Sequence, residues 1–195
     1  MQIAKKTRDG IQSLPLDAML LMQRKVFLTD AITSQSVNET IKQLLYLESE
    51  DNQAPIKLIV DSPGGEVGAG LKLIDQMKGM ETPIETCCAG LAASMAAFIL
   101  VSGCKGRRSI LPHSKVMLHE PLVLSSAGET AGSASTIQMI AESIMKAKKE
   151  LIFILARETG RNTKDIERII TSDPFYMDPK EAVSFGICDS VVDRV

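Results

Sequence analysis

The sequence lacks tryptophan and contains only two tyrosines and five phenylalanines among its 195 residues. Proteins that bind single-stranded nucleic acids stack bases on aromatic side chains, so a chain this poor in aromatic residues is a weak candidate for that class. Acidic and basic residues are nearly balanced, at 24 and 22, and are interspersed along the chain. No basic surface is therefore expected that would bind nucleic acid or a membrane.

Long apolar runs and N-terminal targeting signals are also missing. The longest apolar run lies at 95–101, which is too short to span a membrane as a helix. The basic N-terminus is not followed by an apolar stretch, because Asp9, Gln12 and Pro15 interrupt it. Neither a membrane span nor a secretory signal peptide is therefore predicted.

The four cysteines do not match the spacing of a metal site or a disulfide framework. The sequence contains no C-x-x-C motif, and no histidine lies at metal-ligand spacing from a cysteine. We therefore expect reduced, buried thiols in a cytoplasmic protein. The four are Cys87, Cys88, Cys104 and Cys188.

Apolar periodicity divides the chain into strands and helices. Residues 1–14 carry charge and glycine without any period, which predicts a mobile arm. Beyond them, short apolar runs predict strands, and apolar residues three or four apart predict helices. Strands are predicted at 26–28, 56–60, 84–88, 107–111, 115–119 and 187–192, and helices from 33 or 34, 67, 94, 137, 163 and 178.

Two successive units share the order of strand, glycine turn and helix. In the first, strand 56–60 runs into a turn with paired glycines that ends at Gly65. In the second, strand 84–88 leads through Gly90 to a helix near Ser94. Such units are typical of a parallel sheet covered by helices, and ligands bind at the carboxyl ends of its strands. Gly65 and Ser94 are therefore predicted at the same edge.

Ser94 carries the single hydroxyl of a small, apolar run at 90–98. A serine near a helix N-terminus lies beside free backbone N–H groups, which favour a developing oxyanion next to a nucleophile. The alternative is a helix of small residues packed closely on the sheet, with the Ser94 hydroxyl bonded to a backbone carbonyl. Taken alone, the run favours this structural alternative.

A serine nucleophile needs a base, and the chain contains only two histidines. His119 ends a predicted strand, where a ring can face a cleft, whereas His113 lies in a proline turn typical of the surface. A single histidine at a strand end is more often structural than catalytic. Ser94 and His119 gain weight only in combination with the paired-glycine turn and an acid that orients the ring.

Several motifs, taken in order, resemble the proteolytic subunit of the Clp (caseinolytic) protease family. They include Asp61-Ser62-Pro63-Gly64-Gly65, Gly90-Leu91-Ala92-Ala93-Ser94-Met95, Val116-Met117-Leu118-His119-Glu120-Pro121-Leu122 and Asp173-Pro174-Phe175-Tyr176-Met177. The resemblance covers about residues 25–193. The order and spacing of its motifs make it specific. It implies a crotonase-like α/β fold, built from βαβ units with a parallel sheet core and a projecting strand-helix handle.

The resemblance also implies a serine-protease site with a nucleophile, a general base, an orienting acid and two oxyanion-hole amides. In that order these are Ser94, His119, Asp173, and the backbone N–H groups of Gly65 and Met95. Such a site hydrolyses peptide bonds through an acyl-enzyme and needs no metal or organic cofactor.

The acid depends on the resemblance alone. From the residues themselves, Asp173 next to Pro174 could equally cap a helix. Asp165 and Asp178 are comparable candidates, and the sequence does not separate the three.

The resemblance further implies an assembly and its partners. Family members form barrel-shaped double heptameric rings that enclose the active sites and receive unfolded polypeptides from an AAA+ unfoldase ring. Residues 1–24 would form an axial arm and a first helical segment, and 25–195 a single protease domain with its ring-contacting handle at about 121–158. Neither nucleic acid nor a membrane is an expected partner, and the cytoplasm is the expected location.

The sequence departs from the family pattern at positions that concern assembly. The usual N-terminal arm is replaced by residues 11–24, and a common tyrosine before the glycine turn is Ile59. The handle after His119 is longer than the usual form, and Thr171 and Ser172 replace an acidic-arginine pair. These departures concern the axial gate, unfoldase docking and ring pairing, and they predict that a sister Clp subunit contributes to the rings.

Two alternatives belong to other functional classes. The first is a catalytically idle paralogue that contributes surfaces to mixed Clp rings, as the divergent arm and handle suggest. The second is another crotonase-like enzyme, such as an acyl-CoA hydratase, which also uses glycine turns as an oxyanion hole but has no need of a triad. The complete set of Ser94, His119 and Asp173 favours the protease over both.

Overall fold

The computed structural model describes residues 1–7, 10–121, 133–171 and 174–195. Its strands are β1 (Gln2–Thr7), β2 (Gly10–Pro15), β3 (Lys25–Leu28), β4 (Ile56–Ser62), β5 (Ile84–Ala93), β6 (Arg108–Ile110), β7 (Lys115–Leu118), β8 (Phe175–Met177) and β9 (Ser190–Val191). Its helices are α1 (Leu16–Met22), α2 (Ser34–Glu50), α3 (Val67–Gly79), α4 (Met95–Val101), α5 (Ala134–Thr159), α6 (Thr163–Thr171) and α7 (Pro179–Phe185). From β3 onward, and with the exception of β8, the order is the predicted one.

A parallel sheet forms the centre of the fold, as the repeated strand-turn-helix units predict. Its order is β3, β4, β5, β6 and β9, and each neighbouring pair on that path is parallel. Beyond Gly90, β5 leaves β6 and pairs with β7, so that Ala93 lies opposite Met117. Strand β8 pairs with β7 in the antiparallel direction, with Phe175 opposite Leu118. The carboxyl ends of β4, β5 and β7 therefore meet at one edge.

Helix α4 lies at the centre of the core. All seven of its residues are buried, which confirms the prediction of a buried helix after Ser94. It contacts α3, α5, β4 and β5. Burying a leucine, isoleucine or phenylalanine side chain contributes about 1.5–3 kcal/mol, so this helix is a major source of stability. Its first residue is thereby held firmly at the edge where the strands end.

Helix boundaries follow capping signals in the sequence. The Thr33 hydroxyl accepts a hydrogen bond from the Ser36 N–H, and the Ser36 hydroxyl accepts one from the Thr33 N–H, so α2 begins where predicted. Asp178 and Glu181 exchange the same pair of bonds at the start of α7. Gly186 ends α7 with a φ of 96°, which confirms the predicted glycine stop.

Helix α5 is 26 residues long and is covered by the core along its second half only. Its buried side chains begin at Leu151, whereas Ile137, Ile140 and Met145 in the first half are about half exposed. The predicted long helix is thus confirmed, and part of it is uncovered in the single chain. Most of the hydroxyl-rich stretch predicted at 125–135 lies outside the described residues.

The N-terminus differs from the prediction. Residues 1–14, expected to be a mobile arm, include most of an antiparallel hairpin in which Gln2 pairs with Pro15 and Thr7 with Gly10. Its described side chains are largely exposed. A strand shows alternating apolar residues only when one of its faces is buried. The largely exposed side chains described in this hairpin therefore leave no period in the sequence.

Strand β5 also differs from the prediction, because it continues through Gly90 to Ala93 instead of turning there. The register to β4 shifts between Val60 and Ser62, which marks a bulge. The Asp61 side chain lies at this bulge, and its carboxylate accepts a hydrogen bond from the Leu91 N–H at 2.8 Å. A Cβ at Gly90 would lie 2.7 Å from the Asp61 carboxyl carbon, so the glycine provides space for the carboxylate. Strand β8 was not predicted, since three residues are too few to show a period.

Candidate active site

Ser94 occupies the sharp turn between β5 and α4. Its backbone has φ 54° and ψ −126°, a combination that residues other than glycine rarely adopt and that stores strain. The Ser94 N–H donates a hydrogen bond to the Met117 carbonyl at 2.8 Å, which holds the turn against β7. The residue is half-buried. A strained strand-to-helix turn of this kind presents a serine hydroxyl at the edge of a sheet.

The Ser94 side chain has no structural role within the described part of the chain. It does not cap α4, and its hydroxyl donates to no described backbone carbonyl. By contrast, the Ser102 hydroxyl at the other end of α4 donates to the Phe98 carbonyl at 2.7 Å. The structural alternative raised for Ser94 thus describes Ser102, and the Ser94 hydroxyl remains available for chemistry.

The paired-glycine turn after β4 packs directly against this serine. A Cβ atom at Gly64 would lie 2.6 Å from the Ala93 oxygen and 2.7 Å from the Ser94 Cβ, closer than real Cβ atoms come to other atoms. Gly64 also has a φ of 92°, in the left-handed region that favours glycine. Conformation and space therefore both require glycine at this position, and the turn lies at the same edge as Ser94.

Within the described part of the chain, the local backbone hydrogen bonds do not engage the N–H groups of Gly65 and Met95. Ile32 forms a parallel bridge to the turn: its N–H donates to the Gly64 oxygen, and its oxygen accepts the Glu66 N–H, each at 2.8 Å. In this pattern the N–H of Gly65 points away from Ile32. Met95 is the first residue of α4, and the N–H of a first helical residue has no acceptor within its own helix.

His119 directly follows β7, the strand that holds the Ser94 turn. It is half-buried, and its Nδ1 atom lies 2.6 Å from the Glu120 backbone oxygen. Because a carbonyl oxygen can only accept, this contact requires a proton on Nδ1 and leaves Nε2 as the nitrogen that can accept a proton. This is the tautomer in which a histidine takes a proton from serine through Nε2. His113, in contrast, is exposed in the turn between β6 and β7, as its proline turn predicts.

Of the three aspartates that the residues themselves leave open, Asp173 lies outside the described residues. The other two have structural partners. The Asp178 carboxylate caps α7 by accepting the Glu181 N–H at 2.8 Å. Asp165 lies 3.9 Å from Arg168 on an exposed part of α6. Asp178 is therefore engaged as a helix cap, and Asp165 lies on an exposed helix surface.

The described chain that follows the aspartate position runs beside the histidine. Strand β8 begins two residues after Asp173, and its first residue, Phe175, pairs with Leu118. Leu118 immediately precedes His119. The chain that follows Asp173 thus enters the sheet beside the histidine, which favours this aspartate over the other two.

Sequence reasoning missed two polar side chains that shape β5 in front of Ser94. One is Asp61, whose carboxylate fills the bulge. The other is Ser114, whose hydroxyl accepts the Gly90 N–H at 2.9 Å and donates to the Cys88 oxygen at 3.2 Å. An acidic residue directly after a buried strand was an available signal for Asp61. Ser114 carried no signal, because its contact joins residues 24 positions apart.

The buried thiols are not competing nucleophiles. Burial raises the pKa of the Cys88 thiol to about 12, so it stays protonated at neutral pH. Cys87 and Cys188 are buried as well, and all four cysteines are free. Cys104 is exposed, so the expectation of four buried thiols is wrong at that position. It follows α4, where the chain turns back across the surface.

The described residues contain neither a cluster of metal ligands nor a membrane-spanning helix. Within them, no group of three or more His, Cys, Asp or Glu side chains could hold a metal ion. Across the same ranges, none of the helices combines the length and the apolar character needed to cross a membrane.

Comparison with known proteins connects this geometry to a family. The family model described as Clp protease matches residues 9–195. The chain is 40% identical to the ATP-dependent Clp protease proteolytic subunit 1 of Synechococcus sp. strain CC9902 over 192 residues, covering 98% of this chain and 94% of that protein. It is 39% identical, with the same coverage, to proteolytic subunit 2 of Synechococcus sp. strain CC9605. Subunit 1 of Prochlorococcus marinus strain MIT 9312 is 42% identical over 90% of this chain and 87% of its own length.

Proposed function

The chain belongs to the Clp protease family, and we propose that it is a serine-type proteolytic subunit that cleaves unfolded polypeptides. The family match over residues 9–195 makes it a Clp-type peptidase subunit. The observation that carries the serine mechanism is the strained turn that presents Ser94 against Gly64. A turn of this kind is costly, and strained backbone positions cluster at functional sites.

In the proposed mechanism, Ser94 Oγ attacks the peptide carbonyl while His119 Nε2 takes its proton. The N–H groups of Gly65 and Met95 stabilise the negative charge that develops on the carbonyl oxygen. His119 then protonates the leaving amine, and water hydrolyses the acyl-enzyme by the same route. The tautomer of His119 and the two N–H groups that the described local backbone bonds do not engage support these roles.

We assign Asp173 as the acid that orients His119. Supporting this choice, β8 enters the sheet beside the histidine two residues after Asp173. The structural roles of Asp165 and Asp178 also favour Asp173.

The two alternative functions have less support. The relatives are named as proteolytic subunits, which favours a working protease over an idle paralogue. The family match along nearly the whole chain favours a Clp protease subunit over an acyl-CoA hydratase.

We further propose that the subunit assembles into heptameric rings in the cytoplasm and that an AAA+ unfoldase ring supplies its substrates. The relatives are named as subunits of an ATP-dependent protease. Helix α5, in the proposed handle at 121–158, exposes large apolar side chains, and exposed apolar surface is typical of protein interfaces. Contact with other copies or with a sister Clp subunit would cover them. These side chains are Ile137, Met139, Ile140, Met145 and Phe153.

A fluorophosphonate probe tests the chemistry. It should modify Ser94, and Ser94→Ala should lose hydrolysis of short fluorogenic peptides while the mass of the ring stays unchanged. Peptides should be cut without ATP, whereas folded proteins should require an unfoldase. Modification of a different residue, or wild-type activity in Ser94→Ala, would refute the assignment.

A further inference from the structure

The loop before α2 holds the proposed oxyanion turn through backbone hydrogen bonds. The Ile32 N–H donates to the Gly64 oxygen, and the Glu66 N–H donates to the Ile32 oxygen, each at 2.8 Å. A Cβ at Gly65 would overlap that Ile32 oxygen, so the loop and the turn are in direct contact. Ile32 is fully buried, which anchors the loop in the core.

These bonds set the direction of the Gly65 N–H. The peptide bond between Gly64 and Gly65 is trans and planar, so its carbonyl and its N–H point in opposite directions. Because the Gly64 oxygen is bound to Ile32, the Gly65 N–H faces away from the loop. Rotation of this peptide unit would weaken the bond to Ile32 and turn away the N–H that is proposed to bind the oxyanion.

The Glu66 side chain joins the same two segments a second time. Its Oε2 atom accepts the Ser34 N–H at 3.2 Å and the Ser34 hydroxyl at 3.1 Å. Ser34 is the first residue of α2, where the helix dipole favours a negative charge, and bonds to an ionised acceptor are stronger than neutral ones. Helix α2 already has its own cap in Thr33 and Ser36. The start of α2 therefore does not depend on Glu66, whereas the residue after Gly65 is fastened by it.

A serine side chain acts on the other side of the turn. The buried Ser62 hydroxyl donates to the Asp30 oxygen at 2.7 Å and accepts the Gly64 N–H at 3.2 Å. The peptide unit of Gly64 and Gly65 thus lies between two side-chain contacts to the loop at 30–34. The contact of Ser62 is buried and that of Glu66 is exposed. The exposed contact can be removed without leaving a cavity or an unpaired polar group in the core.

We propose that Glu66 and Ser34 are positioning residues that keep the Gly65 N–H directed at the oxyanion. The proposal rests on the function proposed for Gly65 and leaves the proposed triad unchanged. Glu66 acts through the backbone of the turn, and Ser34 acts through Glu66. Donors fixed in advance stabilise the charge that develops in the transition state without reorienting during the reaction. A loosened Gly65 N–H should therefore slow the chemical step more than it weakens substrate binding.

Substitution of Glu66 tests this role in the full chain. Glu66→Ala removes the acceptor, whereas Glu66→Gln keeps an oxygen that can accept both bonds from Ser34. Glu39→Ala is the matched control, because it removes another exposed carboxylate, on α2. We expect Glu66→Ala to lower kcat for a fluorogenic peptide about fivefold with little change in KM. This is less than the loss of about 10²–10³-fold that follows complete removal of an oxyanion-hole donor. Glu66→Gln and Glu39→Ala should stay within about twofold of the wild type.

A double-variant cycle tests whether Ser34 and Glu66 act as one contact. Ser34→Ala removes the hydroxyl that donates to Glu66, and it should lower kcat about twofold. The variant that combines Ser34→Ala with Glu66→Ala should be no slower than Glu66→Ala alone, because both changes break the same contact. If the two losses instead multiply in rings of normal mass, the shared contact is contradicted.

A pair of substrates distinguishes the oxyanion hole from a general loss of folded enzyme. A peptide ester and its thionoester differ in the atom that receives the negative charge, and sulfur is a weak hydrogen-bond acceptor. A smaller fraction of folded enzyme slows both substrates equally, whereas a misdirected Gly65 N–H slows the ester more. We therefore expect the ester-to-thionoester ratio of kcat/KM to fall about threefold in Glu66→Ala and to stay unchanged in Glu66→Gln.

The outcomes separate this role from the proposed function. If Ser94→Ala leaves peptide hydrolysis intact, the proposed function itself fails. If Ser94→Ala abolishes activity while Glu66→Ala keeps the wild-type kcat and substrate ratio, the positioning role alone is overturned. A lower kcat in Glu66→Ala with an unchanged substrate ratio would also overturn it, because Glu66 would then serve stability only.

Discussion

The backbone of Gly64 touches the side chain of Ser94 so closely that a Cβ at position 64 would lie 2.7 Å from the Ser94 Cβ. The Gly64 oxygen accepts the Ile32 N–H at 2.8 Å, and the Gly64 N–H donates to the Ser62 hydroxyl at 3.2 Å. The turn is thereby bound to the loop before α2 and to β4. The proposed oxyanion-hole turn and the proposed nucleophile thus form one packed unit.

Gly64→Ala should therefore remove activity without unfolding the chain. The added methyl group must displace either the turn or Ser94, and a displacement of about 1 Å at a reacting group can cost about 10²-fold in rate. The measurement is kcat/KM for a short peptide together with fluorophosphonate labelling. Gly68→Ala, in α3, is the control, because a Cβ there meets no atom within 4 Å. Full activity in Gly64→Ala would show that the close packing has no catalytic consequence.

The two histidines should behave very differently. His119→Gln should lower peptide hydrolysis by about 10²–10⁴-fold, the usual contribution of a general base. His113→Asn should remain within about twofold of the wild type, because this residue is exposed in a turn and surface substitutions are usually small in effect. Steady-state kinetics on rings of verified mass distinguish the two. Loss of activity in His113→Asn rather than in His119→Gln would reverse the assignment of the base.

A buried ion pair joins the C-terminal segment to the sheet. Arg108 Nε donates to Asp189 Oδ2 at 2.9 Å, and a second bond joins Nη2 to Oδ1. Burial alone would raise the pKa of Asp189, but the hydrogen bonds and charge of Arg108 outweigh it and hold that pKa below its usual value. A carboxyl whose pKa is lowered by folding adds stability above its unfolded pKa of about 3.9. That stability is lost as the pH falls through the folded value.

Asp189→Asn should therefore lower the free energy of unfolding at pH 7 by about 3 kcal/mol, because it removes the carboxylate that is hydrogen-bonded to the buried Arg108 charge. The difference in unfolding free energy between Asp189→Asn and the wild type should become smaller below about pH 4, because the Asp189 carboxylate of the wild type then becomes protonated. Urea unfolding at both pH values and at equal protein concentration measures this. Asp165→Asn, at an exposed pair, should change stability by about 0.5 kcal/mol or less. A difference that is independent of pH would contradict the role of the Asp189 charge.

Thiol alkylation should separate Cys104 from the other three cysteines. Cys104 is exposed, whereas Cys87, Cys88 and Cys188 are buried, and burial raises the pKa of Cys88 to about 12. Native protein at neutral pH should therefore take up one maleimide per chain, and unfolded protein four. Mass spectrometry counts the labels, and Cys104→Ser should reduce the native count to zero. Rapid native labelling of Cys88 would show that the sheet opens more readily than its burial implies.

Assembly should be weaker than in the usual family pattern. The acidic-arginine pair before the proposed catalytic aspartate is replaced by Thr171 and Ser172. The Thr171 hydroxyl already donates to the Glu167 carbonyl within α6 at 2.6 Å, so it contributes no charge-assisted bond. If each subunit loses about 1 kcal/mol of contact free energy between rings, the loss summed around a ring weakens ring pairing by several kcal/mol.

The purified subunit should therefore populate single heptamers or inactive rings and gain activity when a sister Clp subunit is added. Sedimentation velocity at low micromolar concentration, with peptide hydrolysis measured on the same sample, tests this. A stable, fully active double heptamer formed by the chain alone would contradict it.

Local features of the fold were predictable because their causes lie within a few residues. Helix α7 is bounded by Asp178, Glu181 and Gly186, whose capping bonds span no more than four positions. The parallel sheet followed from repeated strand-turn-helix units, since a crossover helix joins parallel strands. Ser94 and His119 could be proposed together from the sequence, because few residue types perform this chemistry and the chain has only two histidines.

Features that depend on partners distant in sequence were not predictable. The described side chains of the N-terminal hairpin are largely exposed, so they leave no alternating pattern. Strand β5 continues past Gly90 because the Asp61 carboxylate occupies the space beside that glycine and accepts the Leu91 N–H, a hydrogen bond between residues 30 positions apart. Glycine alone could equally indicate a turn or a bulge, and only the packing of β4 against β5 selects the bulge.

The sequence by itself determined which groups can carry the chemistry: one serine at a strand-to-helix junction, one histidine at a strand end and paired glycines. Tertiary structure alone decided how those groups are held. Gly64 packs against Ser94, the Glu120 carbonyl oxygen lies 2.6 Å from His119 Nδ1, and Lys148 donates a hydrogen bond to the Glu120 carboxylate 28 positions away. The physical reason is that hydrogen bonds and ion pairs act over a few ångströms. The partner that comes within that range is set by the packing of α5 and the strands, and spacing along the chain carries no record of it.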